Sequence, residues 1–291
     1  MDILRKPSWL RSSKIGARKT RELTKYLRAH NLHTVCESAR CPNRGECFER
    51  GTATFMILGD ICTRNCTFCA VNKDISKIRQ PDPAEPENIA LLVKDLKLKH
   101  VVITTVTRDD LEDGGVGQFV QVIAEIKKSG NKDTSIEVLI SDLKGDLRQL
   151  KKIISAGPDV LNHNVETIKR LYPQVRPKAD FERSLEILKK AKEIDGKLVT
   201  KSGFMVGLGE KTEEIISLMQ ILRQADVDLI TIGQYMAPSL QHYPVMEYIH
   251  PQVFDYYKSE GEKMGFKLVE SAPLVRSSYH AEKVRKFLKK G

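Results

Sequence analysis

The chain has 291 residues, 41% of them hydrophobic and 30% charged, enough for one large α/β domain or two small ones with a sizeable core. No uncharged apolar run reaches the length of a membrane span. The net charge of +10 suits an anionic partner, but the lysines are spread widely and no zinc finger, basic zipper or RNP-type motif accompanies them, which sets nucleic acid aside in favour of an acidic protein.

Residues 1–53 form a first extension. Met1 to Lys25 is basic and lacks the apolar core of a signal peptide, so the expected compartment is the cytoplasm, with an Arg-rich transit peptide as the competing reading. The run Pro7-Ser8-Trp9-Leu10-Arg11 looks like mature protein that docks on the rest. A helix is predicted over 20–29. Then come Cys36, Cys41 and Cys47 at spacing C-x4-C-x5-C, with Pro42 and Gly45 predicting a loop between the thiols. Alone, this triplet suits an iron–sulfur cluster or a zinc site completed by Glu46 or His33.

From residue 54 apolar strands are predicted at 54–58, 100–105, 136–140, 159–162, 198–206 and 229–232. Helices are predicted between them at 86–97, 117–128, 146–156, 181–194 and 213–225, the last opened by Lys211-Thr212-Glu213-Glu214. Strands alternating with helices predict a parallel sheet with helical crossovers. It is either doubly wound or a partial barrel. Polar motifs follow every strand: Cys62 to Cys69, Thr107-Arg108-Asp109-Asp110, Ser141-Asp142, His163 to Thr167, Gly207-Leu208-Gly209-Glu210 and Gln234-Tyr235-Met236. An open sheet would concentrate such residues at one switch point, whereas a barrel gathers all strand ends at one mouth. The fold class expected is therefore α/β, a partial (β/α)6 TIM-type barrel over 54–235 with N- and C-terminal extensions. Residues 236–291 are the second extension, with a helix over 251–264, a short strand over 266–270 and a basic terminal helix.

All six cysteines lie between residues 36 and 69. In a long chain without a secretion signal, such clustering points to metal rather than disulfides. Cys62, Cys66 and Cys69 have C-x3-C-x2-C spacing with Phe68 before the last. A four-iron cluster normally takes four soft thiolates, so three leave one iron open for another ligand. Three small apolar residues on one helix face, or a tetrahedral zinc site, would share that spacing.

C-x3-C-x2-C after the first barrel strand resembles the radical S-adenosylmethionine superfamily. Together with the upstream triplet in Glu37-Ser38-Ala39-Arg40-Cys41-Pro42-Asn43 and with Arg276-Ser277-Ser278-Tyr279, it resembles the lipoyl synthase family. Gly59 to Arg64, Asn162-His163-Asn164-Val165-Glu166-Thr167 and Met205 to Glu210 carry the same likeness, which runs from about Lys6 to Ala281. The resemblance implies two 4Fe-4S clusters and S-adenosylmethionine. Cys62, Cys66 and Cys69 would hold the cluster whose open iron binds the cosubstrate, which yields a 5′-deoxyadenosyl radical on one-electron cleavage. Cys36, Cys41 and Cys47 would hold an auxiliary cluster with a serine as fourth ligand, assigned to Ser278 with Ser277 second. Without the resemblance, those serines read as a helix cap.

The resemblance further implies insertion of two sulfur atoms, at C6 and C8, into an octanoyl chain on a lysine of a lipoyl carrier domain, with the auxiliary cluster as donor. One S-adenosylmethionine would be consumed per insertion. The partners implied are an octanoylated glycine cleavage H protein or 2-oxoacid dehydrogenase E2, an electron donor such as flavodoxin or ferredoxin, and an iron–sulfur carrier for cluster rebuilding. Phe68, Thr107, Asn162, Asn164 and Glu166 are candidate cofactor contacts, and Arg176 and Arg183 are candidates for carboxylate pairing. Thr107 to Gly115, with Asp113-Gly114-Gly115, is a candidate seat for the methionine end, and Gly207-Leu208-Gly209 for adenine. His163 reads as a packing histidine. The alternatives are another radical sulfur inserter, biotin synthase-like or a methylthiotransferase, and a non-catalytic zinc-binding protein.

Overall fold

A computed structural model of the chain describes residues 5–10, 17–38, 41, 43–49, 54–129 and 133–288. Arg11, and Ala39, Arg40 and Pro42 of the upstream cysteine segment, lie outside the described residues. In chain order, α1 spans Ala17–Ala29, β1 His33–Thr34, α2 Val35–Ser38, α3 Arg44–Glu49 and β2 Thr54–Ile57. The repeating units follow as α4 Glu85–Asp95, β3 His100–Thr105, α5 Val116–Lys128, β4 Ser135–Leu139, α6 Leu147–Ser155 and β5 Val160–Asn162. After a short helix, α7 Tyr172–Val175, come α8 Phe181–Ile194, β6 Val199–Val206, α9 Thr212–Gln224, β7 Leu229–Gln234, α10 Pro251–Lys263 and β8 Leu268–Ser271.

Among the described residues the eight strands form one sheet in chain order. From β2 to β8 every neighbouring pair is parallel, as helical crossovers require. This is the partial barrel expected. It is also longer than expected at both ends. His33 and Thr34 pair antiparallel with Met56 and Phe55, and β8 pairs parallel with β7 through Leu229–Leu268 and Ile232–Ser271. The strand predicted at 266–270 thus belongs to the sheet. The segment predicted as a cysteine loop contains two short helices, with Gly45 inside α3. The basic terminal helix is a 3-10 helix, Ala281–Lys286.

Local chemistry sets the helix starts. The Asp146 carboxylate accepts from the Arg148 N–H before α6, and that of Asp180 from the Arg183 N–H before α8. Before α9 the Glu214 carboxylate reaches back to the Lys211 N–H, 2.8 Å. The core has two large apolar clusters, besides a small one of Val160, Val199, Leu229 and Val284. Of the large two, one joins α4, α5 and α6 to the early strands, and the other joins α8, α9 and α10 to the late ones. Among the described residues no helix is long and apolar enough to cross a membrane.

The barrel interior is polar near its centre. Glu137 on β4 is fully buried and meets Lys201 Nζ at 2.9 Å, with Asn162 donating to the same carboxylate and His100 Nε2 at 3.4 Å. A buried charge needs such partners.

Candidate active site

The site starts at a turn. Leu58 and Gly59, just past β2, both have positive φ, 69° and 85°. Leu58 pays for a conformation glycine adopts freely, and the buried Glu85 carboxylate secures it by accepting the Leu58 N–H at 3.0 Å. The chain then enters the loop carrying Cys62, Cys66 and Cys69.

That loop is tied on every side. The Cys62 N–H donates to Asn72 O, and the Thr63 N–H to Thr107 O. Thr63 Oγ1 also donates to Thr107 O and accepts from the Asp109 N–H. The Thr67 N–H donates to Val175 O, Thr67 O accepts from Tyr243, and Lys73 Nζ donates to Cys66 O. Arg64, only 5% exposed, makes a forked pair with Asp109 and reaches Asp142 at 2.6 Å. The Thr107 N–H points at Cys62 Sγ, 3.3 Å.

Both cysteine triplets line one cavity of about 560 Å³ at the carboxyl ends of the strands. Phe68, Thr107, His163, Asn164, Glu166, Arg176, Ser277 and Ser278 line it too. Asn162 and Arg183 are not among its walls. The Asn162 side chain turns into the barrel toward Glu137, and Arg183 Nη1 lies on the rim, 3.4 Å from Asp142. Asp113 caps α5 by accepting from the Gly115 and Gly117 N–H groups, and the Asp113-Gly114-Gly115 run stays outside the cavity. Gly207 has φ +95°, and its close approach is to Gln234 and the Glu247 carbonyl rather than to cavity space.

One wall carries unsatisfied polar atoms. His163 is 1% exposed, and its Nδ1 lies 2.9 Å from Ile140 O. A carbonyl can only accept, so Nδ1 carries the proton and Nε2 presents a lone pair with no partner. Burial, Arg176 and Arg64 push its pKa down to about 4. His163 thus lines the cavity with one ring nitrogen held by Ile140 O and the other open. Asn164 Oδ1 and Arg176 Nε are likewise buried without partners. Burial works against the charge on Arg176, but Tyr172, Glu166 and Cys66 hold its pKa above the usual value. Burial raises the Glu166 carboxyl despite Arg176 and Asn164.

The thiols crowd one another. Burial and the neighbouring Cys41 push Cys36 up to about 11; burial with Cys36 and Cys41 pushes Cys47 up to about 12. In the second triplet, burial with Cys66 and Cys62 puts Cys69 at about 11. Such sets call for a cationic core that deprotonates them. Among the described residues no three His, Cys, Asp or Glu side chains group around a point that could hold a single metal ion. Soft thiolates are the ligands that iron–sulfur clusters take, so the donor set Cys62, Cys66 and Cys69 fits a 4Fe-4S cluster. The orphaned lone pairs and the Arg176 N–H fit a polar cosubstrate beside Cys62–Cys69.

The serines do not cap a helix. His280, at φ 52°, occupies the cap position of the 3-10 helix Ala281–Lys286, without a side-chain cap.

The Radical SAM superfamily model matches residues 56–222. A lipoyl synthase of Caldicellulosiruptor saccharolyticus is 55% identical over 98% of this chain and 99% of its own length. The chain belongs to the lipoyl synthase family. A lipoyl synthase of Alkaliphilus metalliredigens is 53% identical over 97% and 96% of the two chains, and one of Burkholderia pseudomallei 51% over 97% and 85%. Membership makes the chain a radical S-adenosylmethionine enzyme of the sulfurtransferase class, with a 4Fe-4S cluster, S-adenosylmethionine and a lipoyl-carrier substrate. Solved structures share the fold. Methylornithine synthase aligns with TM-score 0.58 and 16% identity over 87% of this chain and 82% of its own. Streptococcus suis SuiB bound to S-adenosylmethionine aligns at 0.58 and 15% over 88% and 62%.

Sequence reasoning missed Arg64, whose signal was a cation between two cysteines facing acidic residues at two later strand ends. It also missed the open lone pair of His163, which depends on the ring's tautomer.

Proposed function

We propose that this lipoyl synthase inserts sulfur at C6 and C8 of an octanoyl chain borne on a carrier-domain lysine, using one S-adenosylmethionine per insertion. The observation carrying this reading is that two cysteine triplets and the Ser277–Ser278 pair line a single cavity. Cys62, Cys66 and Cys69 would hold the cluster that binds the cosubstrate, and Cys36, Cys41 and Cys47, with Ser278, the cluster that donates sulfur. When bound, these groups supply the radical that abstracts hydrogen from an unactivated methylene, beyond the reach of any general base, and the sulfur that replaces it.

The chain's own residues do the rest. The Thr107 N–H steadies the Cys62 sulfur, and Arg64 fixes the loop between the thiols. His163 and Asn164 offer acceptors to the cosubstrate's donors, and Arg176 offers a donor to an acceptor. Met56, Leu139, Ile140 and Phe204 give the cavity an apolar side for an alkyl chain. A hard serine oxygen suits iron less than thiolate does, so that corner opens most readily. The carrier would be a glycine cleavage H protein or 2-oxoacid dehydrogenase E2, met in the cytoplasm. Its acidic surface would answer the +10 charge mainly in encounter rate. Flavodoxin or ferredoxin would supply electrons, and an iron–sulfur carrier would rebuild the spent cluster.

The test is an anaerobic assay with S-adenosylmethionine, reductant and an octanoylated carrier-domain peptide. Thiolated peptide with matching deoxyadenosine is expected. Deoxyadenosine without thiolated peptide would reject the substrate, and colourless protein holding zinc after reconstitution would reject the clusters.

A further inference from the structure

The C-terminal segment reaches the cavity along the edge of β7. The Ala272 N–H donates to Ile232 O, and Pro273 O accepts from the Gln234 N–H. Gly233 between them has no room for a side chain, because a Cβ would stand 2.1 Å from Val275 O. From there the segment is fastened to the upstream cysteine segment at two points. Asn43, 5% exposed, donates from Nδ2 to Leu274 O at 2.6 Å. Tyr279 OH donates to the Glu46 carboxylate at 3.2 Å, with His280 stacked on the Tyr279 ring at 4.0 Å and its Nε2 at 3.9 Å from the same carboxylate.

Leu274 and Tyr279 bracket Ser277 and Ser278 in the chain, while Asn43 and Glu46 lie between Cys41 and Cys47. We propose that Asn43 and Glu46 are positioning residues that clasp the C-terminal segment to the cysteine segment and so fix where the two serines stand over Cys36, Cys41 and Cys47. The sequence keeps the two partners more than 200 residues apart, so neither segment can hold the other by local structure. The Asn43 carboxamide and the Glu46 carboxylate do it instead.

The consequence for sulfur transfer rests on the reading of Ser278 as a cluster ligand; the clasp itself does not. The experiment uses the full chain, anaerobically reconstituted with iron and sulfide, and compares Asn43→Ala, Glu46→Ala, Glu46→Gln and Tyr279→Phe. Hydrogen exchange of residues 272–281 reads the clasp directly. Loss of one such hydrogen bond should speed local exchange by about tenfold in N43A, E46A and Y279F, while amides of β3 stay protected. E46Q keeps an oxygen acceptor for the Tyr279 hydroxyl and should exchange as the parent does. Deoxyadenosine formation should persist in all four, with sulfur transfer falling in the three that loosen the segment. Parental exchange in N43A and Y279F alike would overturn the clasp. Faster exchange with parental sulfur transfer would overturn the positioning role. Ser278→Ala, run alongside, tests the ligand reading separately: its failure to lose sulfur transfer would remove that reading and leave the exchange result standing.

Discussion

Arg64 and Asp142 meet at 2.6 Å, Nη2 to Oδ1, with both side chains nearly dry at 5% and 0% exposure. The pair joins the loop of the second cysteine triplet to the end of β4. Burial works against the Asp142 charge, but Arg64 and its neighbours hold its pKa down at about 2. Asp109 holds the other side of the same guanidinium, so one arginine between two cysteines spans the ends of β3 and β4.

Removing one member of a buried pair strands the other. Arg64→Ala is therefore expected to cost about 3–5 kcal/mol of unfolding free energy and to weaken iron retention after reconstitution. Arg64→Lys keeps the charge but not the fork and should fall between parent and alanine. Urea unfolding of R64A, D142N and the double variant measures the coupling directly. A coupling below about 0.5 kcal/mol would mean the two groups are not a unit.

The Glu137–Lys201 pair gives a pH test remote from the cysteines. Burial raises the Glu137 pKa, yet Lys201, His100 and Asn162 together bring it from 4.5 to about 2. A folded pKa below the unfolded one contributes stability at higher pH that is lost as pH falls from about 4.5 to about 2. Lys201→Met leaves the carboxylate buried without its main counter-charge. We expect a loss of about 3–5 kcal/mol at neutral pH, and a gap to the parent that narrows as the pH drops below 4.5. Parallel acid curves for parent and variant would refute the assignment.

Much of this architecture is legible from local chemistry. The Phe181–Ile194 helix matches its predicted span because Asp180 caps it and its apolar residues recur at helical spacing. β1 escapes because two residues show no periodicity; only pairing with Phe55 and Met56 makes His33 and Thr34 a strand. β8 is readable as a strand, but its place beside β7 is a non-local fact that Pro238 and Pro244 in the intervening segment disguise. In the site, the two cysteine triplets are visible by their spacing, whereas Ser277 and Ser278 are singled out only through the family resemblance. Asn162 and Asn164 look equivalent in sequence, yet Asn162 ends β5 facing Glu137 while Asn164, past the strand, faces the cavity. Period-two alternation does not extend past a strand's end, so sequence cannot separate them.

Two triplets in one cavity make separable losses. Replacing Cys36, Cys41 and Cys47 with alanine should abolish sulfur transfer and preserve reductive cleavage of S-adenosylmethionine; replacing Cys62, Cys66 and Cys69 should abolish both. The measurement is deoxyadenosine and thiolated peptide from the same anaerobic reaction. Sulfur transfer surviving in the first variant would dismiss the upstream triplet as donor.

Gly233 tests the path of the C-terminal segment without touching a thiol or a serine. An alanine methyl there would lie 2.1 Å from Val275 O and 3.2 Å from Arg276 Nη1. The first neighbour is backbone, so relief requires the segment itself to move. Overpacking of this kind costs about 1–3 kcal/mol. Because Ser277 and Ser278 follow directly, the displacement should reduce sulfur transfer more than deoxyadenosine formation. Gly196→Ala is the matched control: its nearest neighbour is Lys192 O at 3.9 Å, and a glycine-to-alanine change with room to spare is neutral or stabilising by up to about 1 kcal/mol. Equal kinetics in G233A and G196A would show that the segment does not lie against β7 in the working enzyme.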